Sequence, residues 1–150
     1  MVKKIEEREV IVVDATNQLA GRLATQVARA TLHGKAVKVI NAEKAVMSGR
    51  KVMILAQYKQ RYARGATREG PFTHRLPDRI LRRVIRGMLP YHTARGMTAF
   101  RRVMCYIGVP AQLRDASPVR FPEADVGKLP TTRWMTIGDL SKELGGKWNE

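Results

Sequence analysis

The pattern of hydrophobic and polar positions over the first forty residues predicts a strand, a helix and a second strand. Residues 10–13 are a β-branched run with no polar alternation, which is typical of a strand buried on both faces. Apolar side chains then recur at helical spacing from Leu19 until His33 and Gly34, which end the helix. A second strand follows at residues 37–40. This order predicts a right-handed crossover between parallel strands, and therefore an α/β sheet.

Between residues 45 and 107 the pattern predicts two more strands and three helices. The strands are expected at 45–47 and 103–107. The first helix covers residues 50–64 and has an imperfect apolar stripe, made of Val52, Leu55, Ala56, Lys59 and Tyr62. The last helix is short, and its large apolar side chains, Met97, Phe100 and Met104, are expected to face inward, with Arg101 and Arg102 outward.

The helix between these two, residues 77–89, has the sharpest division into two faces. At about 100° per residue, its apolar side chains fall on one arc and its arginines on the opposite arc. The apolar set is Ile80, Leu81, Val84, Ile85 and Met88, and the arginines are Arg79, Arg82, Arg83 and Arg86. Asp78, at the helix start, is favourable against the helix dipole. Since four like charges at this spacing repel one another, the pattern predicts a polyanionic partner.

Beyond Val109 the sequence changes character, because four of the seven prolines fall between residues 110 and 130. This composition predicts an α/β domain over residues 1–109 and a Pro-rich extended arm over residues 110–150. Near its end, residues 136–139 are typical of a capping box that opens a short helix, closed by two glycines at 145 and 146. The two tryptophans of this segment are expected to anchor it against the domain or a neighbouring protein.

The net charge of +15 is concentrated in the middle third of the chain. Residues 58–102 carry twelve basic and two acidic side chains, whereas residues 103–150 carry six of each. Such a field favours nucleic acid or an anionic surface. The single cysteine, Cys105, excludes a disulfide framework, and the three histidines lack the spacing of a metal site. No apolar window is long enough to span a membrane, and acids occupy the N-terminus, so a cytoplasmic protein is expected.

If the polyanionic partner is RNA, the basic residues in and around the helix 77–89 are its predicted contacts. Arginine presents a planar fork that pairs bidentately with phosphate and stays charged at cellular pH. A-form RNA hides its base edges in a deep groove, so we expect recognition of phosphates, 2′-hydroxyls and junction shape. In the loop 64–75, Gly65 and Gly70 are expected to let the backbone approach RNA closely. The predicted RNA-binding residues are Lys51, Arg61, Arg64, Arg68, His74, Arg75, Arg79, Arg82, Arg83, Arg86, His92, Thr93, Arg95, Arg101 and Arg102.

A nucleotide-binding α/β enzyme is the rival interpretation, because open sheets bind ligands where a strand such as residues 10–13 runs into a helix. The turn after that strand contains no glycine, and Gly21 alone matches no phosphate-binding motif. No catalytic residue, metal or cofactor is therefore predicted, and Asp14 is expected to cap the next helix or hold a neighbouring turn. A third interpretation is that the helix 77–89 binds anionic lipid through its arginines. Pro90, directly after this helix, and the lack of Trp or Phe on its apolar face argue against this interpretation.

Several motifs of the sequence resemble those of one protein family. They are Gly70-Pro71-Phe72, Arg75-Leu76-Pro77, Arg86-Gly87-Met88-Leu89-Pro90, Thr93-Ala94-Arg95-Gly96 and Val109-Pro110, with Val12-Val13-Asp14-Ala15, Leu19-Ala20-Gly21-Arg22-Leu23-Ala24 and Ile40-Asn41-Ala42-Glu43-Lys44 before them. Over about residues 9–110 the chain resembles the large-subunit ribosomal protein family L13, in its archaeal and eukaryotic form. Cys105 before Tyr106 departs from the aliphatic residue usual in that family.

The resemblance implies a three-layer α/β fold with a small, mostly parallel sheet flanked by helices. It also implies a non-catalytic protein of the large ribosomal subunit that binds and shapes large-subunit rRNA, beside neighbouring ribosomal proteins. A small-molecule substrate and a membrane partner are not expected. An RNA-binding regulator of translation outside the ribosome stays open as an alternative.

Overall fold

The computed structural model describes residues 9–148, so residues 1–8, whose Glu6 and Glu7 support the expectation of a cytoplasmic protein, lie outside the described residues. In chain order the elements are β1 (Val10–Asp14), α1 (Ala20–Leu32), β2 (Ala36–Ile40), β3 (Val46–Ser48), α2 (Lys51–Ala63), α3 (Pro77–Gly87), α4 (Ala94–Arg101), β4 (Val103–Cys105), β5 (Trp134–Thr136) and α5 (Ile137–Glu143). Short 3₁₀ turns cover Ala42–Lys44, Ala111–Leu113, Pro122–Ala124 and Val126–Lys128.

Three parallel strands in the order β1-β2-β4 form the central sheet. Val13 lies beside Val39, and Val39 beside Cys105. Val13, Val39 and Val103 are fully buried, in agreement with the apolar runs of the sequence. Helix α1 contacts β2, α3 contacts β4, and the two helices pack against each other. The predicted three-layer α/β fold with a small, mostly parallel sheet is confirmed.

The third strand of the sequence pattern, β3, is not part of this sheet. It pairs antiparallel with β5, with Val46 opposite Thr136 and Ser48 opposite Trp134. The strand predicted at residues 45–47 is therefore present, at Val46–Ser48, but in a second, two-stranded sheet. Local periodicity shows that a strand exists but not which distant segment supplies its hydrogen bonds.

Helix α1 ends as predicted, with His33 at its C-cap and Gly34 at a φ of +98°. Its start differs from the prediction. The N-cap residue is Leu19, whose side chain cannot accept a hydrogen bond, so the polar turn 14–17 does not cap the helix. The turn has its own hydrogen bonds instead, with Asp14 as their acceptor.

The predicted apolar stripe of α2 is wrong at its two ends. Ile54 and Tyr58 are the buried residues of this helix, whereas Val52 is 76% and Tyr62 47% exposed. Helix α2 therefore contacts the core through the i, i+4 pair of Ile54 and Tyr58, which its weak amphipathic pattern did not identify, and through the partly buried Leu55, which the pattern did identify.

The inward face predicted for α4 is right for Phe100, which is partly buried and packs against a cluster that includes Ala99, but wrong for the two methionines. Gly96 and Ala99 are buried there, while Met97 and Met104 are each 41% exposed. The helix begins earlier than expected, at Ala94, and small residues let it approach its neighbours closely. A Cβ added to Gly96 would overlap the carbonyl of Pro90.

The Pro-rich C-terminal segment lies against the rest of the chain. Val119 exchanges backbone hydrogen bonds with β1, at 2.8 Å to the Val12 oxygen and 3.1 Å from the Asp14 nitrogen. Further on, Met135, Ile137 and Leu140 belong to the same buried cluster as the central sheet. The hydrophobic core thus includes side chains from both sides of residue 110.

Of the capping box predicted at 136–139, the N-cap contact is present, because the Thr136 hydroxyl accepts the Asp139 backbone N–H at 3.1 Å. Gly145, at a φ of +81°, follows the end of α5. Within residues 9–148, none of these helices combines the length and apolar character required to cross a bilayer.

Candidate nucleic-acid interface

The arginines of α3 form an outer and an inner pair. Arg79 and Arg83 are exposed, while Arg82 and Arg86 are half-buried. The opposite face supplies Ile80, Leu81 and Ile85 to the core, as the sequence predicted, but Met88 is 47% exposed. Packing of the apolar face therefore fixes the direction in which the arginine face points.

The inner pair rests on aromatic rings of the α4 region. The Arg82 guanidinium carbon lies 4.6 Å from the centre of the Phe100 ring, and that of Arg86 lies 4.1 Å from the Tyr91 ring. The two rings meet edge to face at 5.5 Å. Each stacked arginine gains about 0.5 to 2 kcal/mol. Sequence patterns gave no sign of this aromatic platform, because its members belong to different elements.

Two more predicted arginines stack on rings of α2. Arg75 lies 4.1 Å above the centre of the Tyr62 ring, and Arg61 lies 5.5 Å from that of Tyr58. Stacking fixes the planar guanidinium while its edge N–H groups stay available for phosphate.

Carboxylates do not neutralise this surface. Among residues 9–148, the ion pairs within 4 Å are Lys35 with Glu9 and Arg120 with Asp14, both outside the basic middle third. The Nε of Arg82 is buried without a hydrogen-bond partner. Within the described chain, therefore, no carboxylate forms an ion pair with the arginine face.

The basic loop between α2 and α3 is held in a tight turn by its own backbone. The Gly70 N–H donates to the Ala66 oxygen at 3.0 Å, and a Cβ on Gly65 would overlap the Gly70 carbonyl. The two glycines thus serve the turn, at φ values of +86° and +85°. Arg64 and Arg68 are exposed on either side of it.

The loop between α3 and α4 borders an open groove of about 540 Å³, lined in part by Arg83, Arg86, Gly87 and His92. A Cβ on Gly87 would meet no atom within 4 Å, so this glycine is not required for packing inside the chain. The Thr93 hydroxyl accepts from Gly96 N and donates to Pro90 O. Thr93, a predicted RNA contact, therefore caps α4.

Three predicted RNA contacts, Lys51, Arg101 and Arg102, are not among the arginines of α3 and the residues of the two loops beside it. Lys51 begins α2, roughly 15 Å along the axis from Arg61. Arg101 is exposed at the end of α4. Arg102 was expected to point outward, but it is half-buried and donates from its Nη1 to the Thr31 oxygen at 3.0 Å, which ties α4 to α1.

The surroundings of His74 and Cys105 shift the pKa values of both side chains. Partial burial, together with the positive charges of Arg79 and Arg83, lowers the pKa of His74, despite the opposite effect of Asp78. Burial raises the pKa of the Cys105 thiol to about 12, which makes it unreactive. Within residues 9–148, no cluster of three His, Cys, Asp or Glu side chains is placed to hold a metal ion.

The carboxylate of Asp14, on which the enzyme interpretation depends, holds its own turn. Its Oδ1 accepts from Thr16 N at 3.0 Å, Thr16 Oγ1 at 2.7 Å and Asn41 Nδ2 at 3.0 Å. Burial by itself would raise its pKa, but these hydrogen bonds and Arg120 lower it overall. The predicted role in a neighbouring turn is confirmed.

Comparison with known proteins gives matches over most of the chain. The sequence model of a family described as Ribosomal protein L13 matches residues 8–112. The large ribosomal subunit protein uL13 of Methanopyrus kandleri is 45% identical over 145 residues, covering 95% of this chain and 91% of the relative. The protein of that name from Methanosarcina barkeri is 41% identical, and the match covers 91% of this chain and 99% of the relative. The one from Sulfolobus acidocaldarius is 38% identical, and the match covers 93% of this chain and 96% of the relative. The resemblance based on sequence motifs is confirmed.

Proposed function

This chain belongs to the ribosomal protein L13 family, and from that premise we propose that it is a structural constituent of the large ribosomal subunit that binds and organises large-subunit rRNA. Membership of a family of ribosomal proteins also agrees with the prediction that the chain is not an enzyme. The observation that carries the RNA-binding proposal is the arginine face of α3, which is backed by aromatic rings and has no carboxylate partner within residues 9–148.

The mechanism is electrostatic and geometric. Helix α3 has eleven residues and is therefore about 16 Å long, with one basic loop at each end. Arg64 and Arg68 extend from the loop before it, His92 extends from the loop after it, and Arg95 follows in the first turn of α4. Two RNA segments bound at opposite ends are held at a fixed separation, while Arg79 and Arg83 bind phosphates between them. The protein thereby holds RNA segments together during subunit assembly.

The partners of this chain are large-subunit rRNA and neighbouring ribosomal proteins, and its place is the ribosome in the cytoplasm.

Co-sedimentation tests the proposal. Tagged full-length chain is expressed in an archaeal host, and particles are resolved into small-subunit, large-subunit and free pools. The protein is expected in the large-subunit pool, and it should stay there at a salt concentration that removes loosely bound basic proteins. Recovery in the free or the small-subunit pool would contradict the proposal.

A further inference from the structure

Phe72 is an aromatic side chain whose exposure has no explanation within the described chain. It is 67% exposed, more than any other Phe, Tyr or Trp among residues 9–148, and the two other phenylalanines are partly buried. It lies in the basic loop before α3, two residues from His74. Leaving an aromatic ring in water forgoes the burial energy that such rings normally contribute, so a partner that covers it is favoured.

The ring borders a groove of about 200 Å³ between α2, this loop and α3. The floor is apolar, formed by Tyr58, Ile80 and Val84, and the rim carries Arg61 and Arg83. An apolar floor below two cations matches a ligand that is flat and apolar at one end and anionic at the other. A nucleotide has that composition.

The loop holds Phe72 in place before any ligand binds. The Thr73 hydroxyl donates to the Arg61 oxygen at 3.4 Å, which joins the loop to the end of α2. One edge of the ring lies over Gly70, where an added Cβ would come within 3.2 Å of it. The remaining ring surface is open. Binding therefore does not require this aromatic side chain to be ordered first.

We propose that this groove binds one unpaired nucleotide of the RNA, with its base stacked on Phe72 and its phosphate on Arg61 or Arg83. The inference rests on the proposed RNA-binding function and adds a site for an extruded or bulged base to it. Base stacking on an aromatic ring tolerates different sequences, because every base has a π face. His74 lies on the groove wall, and burial together with Arg79 and Arg83 lowers its pKa, which favours the imidazole form with one hydrogen-bond donor and one acceptor for the edge of the base.

Two RNA hairpins that differ only in a single bulged 2-aminopurine test the proposal, since stacking of that base changes its fluorescence. Dissociation constants for both hairpins are measured with the full-length protein and with the variants Phe72→Ala, Phe72→Trp and Met53→Ala. Met53 is also 67% exposed but does not line the groove, so it is a matched control for loss of an exposed apolar side chain.

The wild type is expected to prefer the bulged hairpin. Phe72→Ala should weaken binding of that hairpin by about tenfold to a hundredfold and leave the fully paired hairpin unchanged. Phe72→Trp and Met53→Ala should behave as the wild type. Because Phe72 carries no charge, the salt dependence should not change.

If Phe72→Ala and the wild type bind the bulged hairpin with equal affinity, the inference about the groove is wrong, while the proposed RNA-binding function is unaffected. The same holds if Phe72→Ala loses as much affinity for the paired hairpin as for the bulged one. If the wild-type protein binds neither hairpin at low salt, the proposed RNA-binding function fails as well.

Discussion

The aromatic platform below α3 predicts a measurable coupling between Arg86 and Tyr91. Replacing Tyr91 with Leu keeps apolar bulk under the guanidinium but removes the ring whose centre lies 4.1 Å from it. A cation–π contact at a half-exposed site contributes about 0.5 to 1 kcal/mol. In a double-mutant cycle of Arg86→Gln and Tyr91→Leu, measured by urea denaturation, we therefore expect a coupling free energy of about that size. Arg79 contacts no ring in the described structure, so the cycle of Arg79→Gln with Tyr91→Leu is the control.

The same substitution has an effect on RNA binding. An arginine side chain that moves freely loses about 2 kcal/mol of rotamer entropy when it binds a phosphate. In Arg86 the stacking on Tyr91 has already removed part of that entropy before RNA binds. Tyr91→Leu should therefore weaken binding to large-subunit rRNA by about three- to tenfold. Its salt dependence should equal that of the wild type, because no charge is lost. A coupling no larger than that of the control cycle would refute the reasoning.

Two other features of the fold give predictions. Gly96→Ala should lower the free energy of unfolding, measured by thermal or urea denaturation, by about 2 kcal/mol or more, because the added methyl group overlaps the Pro90 carbonyl. Gly87→Ala, with open space around the added methyl group, should be neutral or stabilising by up to about 1 kcal/mol. Equal effects of the two substitutions would contradict the packing described. The pKa of Asp14 is lower in the folded than in the unfolded state, so the ionised carboxylate stabilises the fold. This contribution to the free energy of unfolding is complete above the unfolded-state pKa and is lost as the pH falls below about 4. Asp14→Asn should flatten the acid limb of a stability-versus-pH curve, and an unaltered limb would show that the carboxylate adds nothing.

Strongly patterned segments of this chain were predictable from sequence. Helix α3 divides its side chains so sharply that both its buried face, with Leu81 and Ile85, and its arginine face follow from the 3.6-residue period. The apolar runs of β1 and β2 likewise indicated buried parallel strands. In these segments local pattern and tertiary packing agree.

Other features depend on contacts between distant segments. The partner of β3 is β5, nearly ninety residues away, and no local period identifies such a pairing. In α4, Gly96 lies against Pro90 while Met97 is 41% exposed, an arrangement that the period of its apolar residues does not identify. The same reason applies to the candidate site. Sequence identified the basic residues, but not the rings below Arg82 and Arg86, which reach α3 only in the folded chain.

The salt dependence of RNA binding by the exposed arginine pair tests the central claim most directly. Full-length wild type and the variant Arg79→Gln/Arg83→Gln are titrated with large-subunit rRNA at several salt concentrations, with Lys128→Gln/Arg133→Gln as a control of equal charge change. If each arginine of the pair binds one phosphate, the slope of log affinity against log salt should become shallower by about 1.4 to 1.8 in the arginine variant and hardly change in the control. Equal slopes for wild type and the arginine variant would contradict the account.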